Sequence, residues 1–387
     1  IVLDLSFLFY FKYFNFVVDN INGVLATDFQ LLDVIMPIGI SFYTFQAMSY
    51  LIDVYRREVP AQKDVYKLAL YIVLFPQLVA GPIVKYHDVC EQIDNRTIEF
   101  KNVIIGFKRF ITGLAKKVLI ANTLAEVVDK IFAQAPENLT TGVSWLGAVA
   151  YCLQLYYDFS GYSDMAIGLG LMFGFRFLEN FNYPYISKSI TEFWRRWHIS
   201  LATWFKLYLY IPLGGNRKGA VRTYWNLFAV FLVTGIWHGA AWSYVAWGIW
   251  NGIFIVIERF FGLDKDKNDR WYVSAAKHVY AFFAIVWGMI IFRAESLSYA
   301  YEYICRMLHI DVTKHLPDYD YGVNNKFAIM LIVGLICAMP VCRNLIYIKY
   351  EHKVQRTLVN IWLFLLFFWS TISLAASTYN PFIYFRF

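Results

Sequence analysis

The 387-residue chain is 59% hydrophobic, 20% aromatic and 16% charged, with a mean hydropathy of +0.46 and a formal net charge of +7. Soluble domains carry about 25% charged residues, so this chain has too little polar surface for a water-soluble globule and reads as a polytopic membrane protein. The positive charge comes without a long basic run or reader motif, which argues against nucleic acid and fits loops facing anionic membrane lipid.

The chain opens on Ile1, inside an apolar run and without a basic leader or cleavage signature. Further N-terminal sequence, including membrane helices, is therefore expected before it. Apolar runs follow at roughly 1–18, 31–52, 65–84, 103–121, 143–176, 224–257, 277–292, 327–342 and 360–376. One crossing takes about 20 residues, so 143–176 and 224–257 have the length of helix pairs, and about eight to ten spans are expected. Period-2 alternation is absent, which argues against a transmembrane β-barrel. The expected fold is a single all-α membrane domain over residues 1–387.

The early segments PIGISFYTFQAMSYLIDVYR (37–56) and FPQLVAGPIVKY (75–86) are studded with polar residues and broken by glycine and proline, as cavity walls would be. In YYDFSGYSDMAIG (156–168), Asp158 and Asp164 lie in an apolar run with Ser160, Tyr162 and Ser163. Carboxylates at membrane depth need partners: hydroxyls, a histidine, or an arginine from another span. They could orient a catalytic histidine, or belong to a buried structural network. Both readings stand at this level.

The segment EFWRRWHISLATWFKLYLYIPLGGNRKG (192–219) crowds cations and one histidine, His198, among aromatics. Residues 199–213 are too short to span, and Pro212 with Gly214–Gly215 ends them. Irregular backbone at membrane depth must be buried in protein or line a cavity. A re-entrant or interfacial segment at the cytoplasmic face is expected, with Arg195, Arg196, Lys206, Arg217 and Lys218 towards a polar recess. Cations snorkelling at an aromatic belt fit the same pattern.

In VTGIWHGAAW (233–242), His238 sits in an apolar run about 16 residues beyond Arg222, roughly 24 Å from the rim at helical rise. An ionisable group there is a functional candidate; a histidine bonded to a neighbouring helix is the alternative. Gly235, Gly239, Ala240 and Ala241 around it would let backbone or substrate approach closely. By the positive-inside tendency, 258–277 and 343–356 lie on the cytoplasmic side, and 294–325 and the tail NPFIYFRF outside. HIDVTKH (309–315) has metal-ligand residue types but falls in that external loop, and no metal is expected. The five cysteines (Cys90, Cys152, Cys305, Cys337, Cys342) form no CxxC pattern.

FWRRWHISL, YIPLGGNRKG, TGIWHGAAW, YDFSGYSDMAIG and NPFIYFRF together resemble the membrane-bound O-acyltransferase family over nearly the whole chain. The resemblance is to the bacterial branch that O-acetylates alginate, peptidoglycan and other exported polysaccharides; the teichoic acid D-alanyl transfer protein is a more distant relative. It implies a helical bundle around a transmembrane tunnel in the bacterial cytoplasmic membrane. It implies His238 as the active-site histidine and His198 as a second important one. The resemblance implies no bound cofactor and an acyl donor such as acetyl-CoA, whose phosphates the basic cluster would attract. An exported polysaccharide or peptidoglycan is the acceptor, with an extracytoplasmic acetyltransferase partner protein. His238 would act as general base, and Ser160 or Tyr162 are candidates for the oxyanion. Lys206–Leu207 stands where the branch commonly has an Arg-Asp pair, and lysine does not reproduce a bidentate guanidinium contact. The rivals are a transporter or flippase, for which matching broken helices in two related halves are missing, and a structural subunit of an export complex.

Overall fold

The computed structural model describes residues 1–78, 81–264, 269–309, 319–342 and 353–377, and all regular elements among them are helical. The N-terminal rod is α1 (Val2–Leu8) and α2 (Phe14–Leu25), joined by a π-helical stretch, Phe9–Tyr13. Next come α3 (Ile40–Tyr55), α4 (Val65–Val73), α5 (Phe75–Leu78) and α6 (Tyr86–Asn95). A second π-helical stretch, Lys116–Ala121, joins α7 (Phe100–Ala115) to α8 (Asn122–Phe132). The long α9 (Thr141–Met172) leads to the short α10 (Ile190–Arg196) and α11 (Ile199–Phe205), and α11 runs into a third π-helical stretch, Lys206–Tyr210. The C-terminal part holds α12 (Ala220–His238), α13 (Trp242–Phe261), α14 (Trp271–Arg293), α15 (Leu297–Leu308), α16 (Asn325–Cys337) and α17 (Lys353–Ala376).

Local chemistry sets many of these boundaries. Asp64, Thr140, Ser189, Ser296 and Asn324 each cap a helix by accepting a backbone N–H of its first turn. The run 143–176, expected as a helix pair, is one continuous helix of 32 residues. Glycine stripes explain how it packs against α7. A Cβ on Gly113 would stand 2.5 Å from the Gly161 carbonyl, and one on Gly168 2.5 Å from the Gly106 carbonyl. The seven-residue spacing puts both contacts on one face, and the two backbones touch there.

The run 224–257 is the expected pair. The chain leaves α12 at Gly239, which is fully extended, and re-enters helix at Trp242. Of the small residues beside His238, Gly235 and Gly239 allow close approach within the protein itself. A Cβ on Gly235 would stand 2.9 Å from Gly248 of α13, and one on Gly239 would collide with the Tyr244 ring.

Among the described residues, two helices are individually long and apolar enough to cross a membrane: Trp271–Arg293 and Val354–Ala376. The expected eight to ten such spans are not seen as unbroken apolar rods. The run 65–84 divides into α4 and α5, and α9 carries the buried Asp158 and the part-buried Asp164. Outward-facing Leu358, Trp362, Phe364, Leu365, Phe368 and Ile372 cover α17 with apolar surface of the kind lipid covers. Residues 343–352, the tail from 378 and residues 310–315 of HIDVTKH lie outside the described residues, as do 79–80 and 265–268.

Candidate functional site

The two histidines come from different elements to one buried region. His238 is the last residue of α12 and 8% exposed. Three rings box its imidazole edge to face, with centroid distances of 4.9 Å to Trp237, 5.0 Å to Trp247 and 5.1 Å to Phe292. Its Nδ1 is sealed from solvent and has no hydrogen-bond partner among the described residues. Below the ring, its carbonyl accepts from the Lys12 ammonium at 3.0 Å.

His198 is buried, at 1% exposure. It is the hinge between α10 and α11, with φ 46° and ψ 53°, a left-handed conformation uncommon for residues other than glycine and often found at functional sites. The Phe159 ring meets it edge-on at 4.6 Å and Phe42 stacks at 6.4 Å. Phe42 also packs at 5.7 Å on Trp237, linking the surroundings of both histidines.

A polar hub fixes the tautomer of His198. The side-chain oxygen of Asn180 accepts from the Ser200 backbone N–H (3.1 Å) and hydroxyl (2.9 Å), and its amide group donates to Ser163 Oγ (3.1 Å). The His198 Nδ1 lies 3.2 Å from that same oxygen. An acceptor oxygen requires a donor opposite it, so Nδ1 carries the proton and Nε2 presents a lone pair. Nε2 is buried and has no partner among the described residues.

The aspartates do other work. Asp164 accepts from Arg109 at 2.8 and 3.0 Å and from Lys116 at 2.7 Å, and Asp158 pairs with Lys117 at 2.6 Å. They tie α9 to α7 and its π-helical extension; Asn180, not a carboxylate, holds His198. Ser160 is buried with an unpartnered hydroxyl next to Phe159, and Tyr162 packs on the Phe42–Trp237 cluster.

The basic residues divide. Arg196 is engaged with Glu192 (2.8 Å) and the Asn182 carbonyl (3.2 Å). Arg195, Lys206, Arg217 and Lys218 are exposed. Arg56, at the end of α3, joins this side by stacking on Tyr208 (5.5 Å) and reaching the Leu207 carbonyl. Although Leu207 offers no carboxylate, Asp53 of α3 supplies one nearby, accepting from the Tyr208 hydroxyl at 2.8 Å.

Sequence reasoning missed Lys12, Gln46, Asn180 and Glu258. Gln46 is 1% exposed, neither of its amide atoms has a partner, and it lies one turn along α3 from Phe42. Glu258 is fully buried and accepts from the backbone of Ile190 (2.5 Å) and Thr191 (2.8 Å) and from Tyr280 (3.1 Å), capping the start of α10. Lys12 carried a usable signal, being an ionisable group inside an apolar run, as His238 is.

Among the described residues the regular elements are helical, α17 carries lipid-suited surface, and two histidines set among aromatic rings each keep one buried nitrogen without a partner. The chain belongs to the membrane-bound O-acyltransferase family, whose model matches residues 60–298. It is 43% identical to a probable alginate O-acetylase of Pseudomonas putida, over 100% of this chain and 83% of that one. Against the probable alginate O-acetylase of Pseudomonas aeruginosa the identity is 51%, over 78% of this chain and 58% of the relative. A peptidoglycan O-acetyltransferase of Helicobacter pylori is 33% identical, over 91% of this chain and 73% of the relative.

Proposed function

We propose that the protein is an O-acetyltransferase of the bacterial cytoplasmic membrane. It takes an acetyl group from cytoplasmic acetyl-CoA and delivers it to a hydroxyl of an exported polysaccharide or peptidoglycan, together with an extracytoplasmic partner protein. The observation that carries this reading is the pair of buried histidines with unpartnered nitrogens, in a chain that resembles alginate and peptidoglycan O-acetylating proteins.

In this reading His238 takes the proton of the acceptor hydroxyl as its oxygen attacks the thioester carbonyl. The C–O bond forms, the C–S bond breaks, and the thiolate leaves and is protonated. Nε2 of His198, held as an acceptor by Asn180, receives an amide N–H of the donor's arm. The unpartnered Gln46 amide is a candidate donor to the carbonyl oxygen as charge develops on it, beside Ser160 and Tyr162. Exposed Arg195, Lys206, Arg217 and Lys218 attract the donor's phosphates, with Arg196 already committed to Glu192.

Transfer of labelled acetyl from acetyl-CoA to polymer, measured beside donor binding, tests this. His238→Ala is expected to lose about 10²–10⁴-fold in rate, the worth of general-base catalysis, while donor binding persists. His198→Ala is expected to weaken binding and rate together. Undiminished transfer by a folded His238→Ala variant ends the catalytic reading in favour of a transport or scaffold role.

A further inference from the structure

We propose that Lys12 is a positioning residue for His238, which makes the N-terminal rod part of the catalytic machinery. The proposal rests on the reading of His238 as the reacting base. Lys12 also lies outside the stretch matched by the family model, 60–298.

The argument begins at the end of α12. Because Gly239 is extended, the helix stops at His238 and its last carbonyls lose their intrahelical donors. Those carbonyls also form the negative end of the helix dipole. Two adjacent residues of the first π-helical stretch satisfy them. The Tyr13 hydroxyl donates to the Ile236 carbonyl at 2.9 Å. The half-buried Lys12 ammonium donates to the Trp237 carbonyl at 2.7 Å and the His238 carbonyl at 3.0 Å. Its remaining donor reaches Ser41 Oγ at 3.1 Å, at the start of α3. An ammonium has three donors, and all three are used.

The arrangement does more than close a helix. Two of the three bonds end on consecutive peptide units, one of them that of His238 itself. Anchoring consecutive carbonyls fixes rotation of the backbone at His238 as well as its translation, and the imidazole turns with that backbone. None of these partners is a carboxylate, so the positive charge is directed at the helix end. The ammonium also lies 5.9 Å from the Trp237 ring, one wall of the box around His238. The π-helical stretch fits this placement, since such bulges recur at functional sites.

Inverted membrane vesicles holding the full chain, supplied with labelled acetyl-CoA, provide the test. Lys12→Met is expected to lower kcat about 10²-fold, the scale of a misplaced catalytic group, with KM for acetyl-CoA little changed. Lys12→Arg keeps charge at the helix end and is expected to recover most of that loss. In a His238→Ala background, Lys12→Met is expected to cost nothing further, because the two act as one unit. An equal loss in that background, or a raised KM with kcat intact, overturns the proposal and leaves a bundle-stabilising cap. Full rate in Lys12→Met, with rate lost in His238→Ala, overturns this proposal alone; full rate in His238→Ala removes the catalytic reading and this proposal with it. Should Lys12→Met fail to fold, Tyr13→Phe removes the hydroxyl that donates to the Ile236 carbonyl at 2.9 Å and reaches the Trp237 carbonyl at 3.4 Å, and leaves the Lys12 bonds in place. It is expected to lower kcat about fivefold, the worth of one hydrogen bond; unchanged kcat there overturns the proposal.

Discussion

Asn180 Oδ1 lies 3.2 Å from His198 Nδ1, and the same oxygen accepts from both the backbone N–H and the hydroxyl of Ser200. One amide thus sets the tautomer of a histidine, the turn into α11 and the left-handed backbone between them.

Removing that amide has a separable signature. Asn180→Ala leaves the Ser200 N–H and the His198 ring without their acceptor, and the expected loss of stability is about 1–3 kcal/mol. Asn180→Asp keeps an acceptor oxygen and should retain more transfer activity than alanine. Thermal unfolding in detergent with parallel acetyl-transfer rates checks both; equal activity in the two variants contradicts the tautomer argument.

The pair Lys117–Asp158 is buried, with side-chain exposures of 10% and 3%. Breaking a buried ion pair from one side is costly, so Asp158→Asn or Lys117→Met is expected to cost about 3–5 kcal/mol. The double variant Lys117→Met/Asp158→Leu should be considerably closer to the parent than either single change. Unfolding midpoints of the three variants test this, and additive losses contradict it.

Glu258 joins α13 to the start of α10 through charge-assisted hydrogen bonds. Glu258→Gln keeps the shape but loses the charge, and is expected to cost about 1.5–3 kcal/mol. Loosening should be greatest at Ile190–Arg196, immediately before His198. Hydrogen exchange of that segment reads it directly, and unchanged protection there refutes the capping role.

The exposed cations give a prediction about the donor. Arg217→Glu with Lys218→Glu should raise KM for acetyl-CoA and leave kcat nearly unchanged, with the difference shrinking as salt rises. Adding Arg56→Glu should deepen the effect, because Arg56 reaches the Leu207 carbonyl on the same side. An unchanged KM in the folded triple variant rules out phosphate binding at this surface.

What the sequence by itself determined follows from local rules. Helical class and the helix pair within 224–257 were legible because hydropathy and run length act locally, whereas the break of that pair at Gly239 was not. The family resemblance was legible for the same reason, its motifs being short and contiguous. Tertiary structure decided the partnerships. Asp158 and Asp164 could have oriented a histidine; they pair instead with Lys117, Lys116 and Arg109, since α7 lies against α9 along facing glycines. Asn180 gave no signal, and neither the polar-studded segment holding Gln46 nor the position of Glu258 at the end of an apolar run gave these side chains a role, because such a group gains one only from what packs against it. Lys12 and His238 are 226 positions apart, and no local pattern links them; only the meeting of the N-terminal rod with the end of α12 brings an ammonium to that carbonyl.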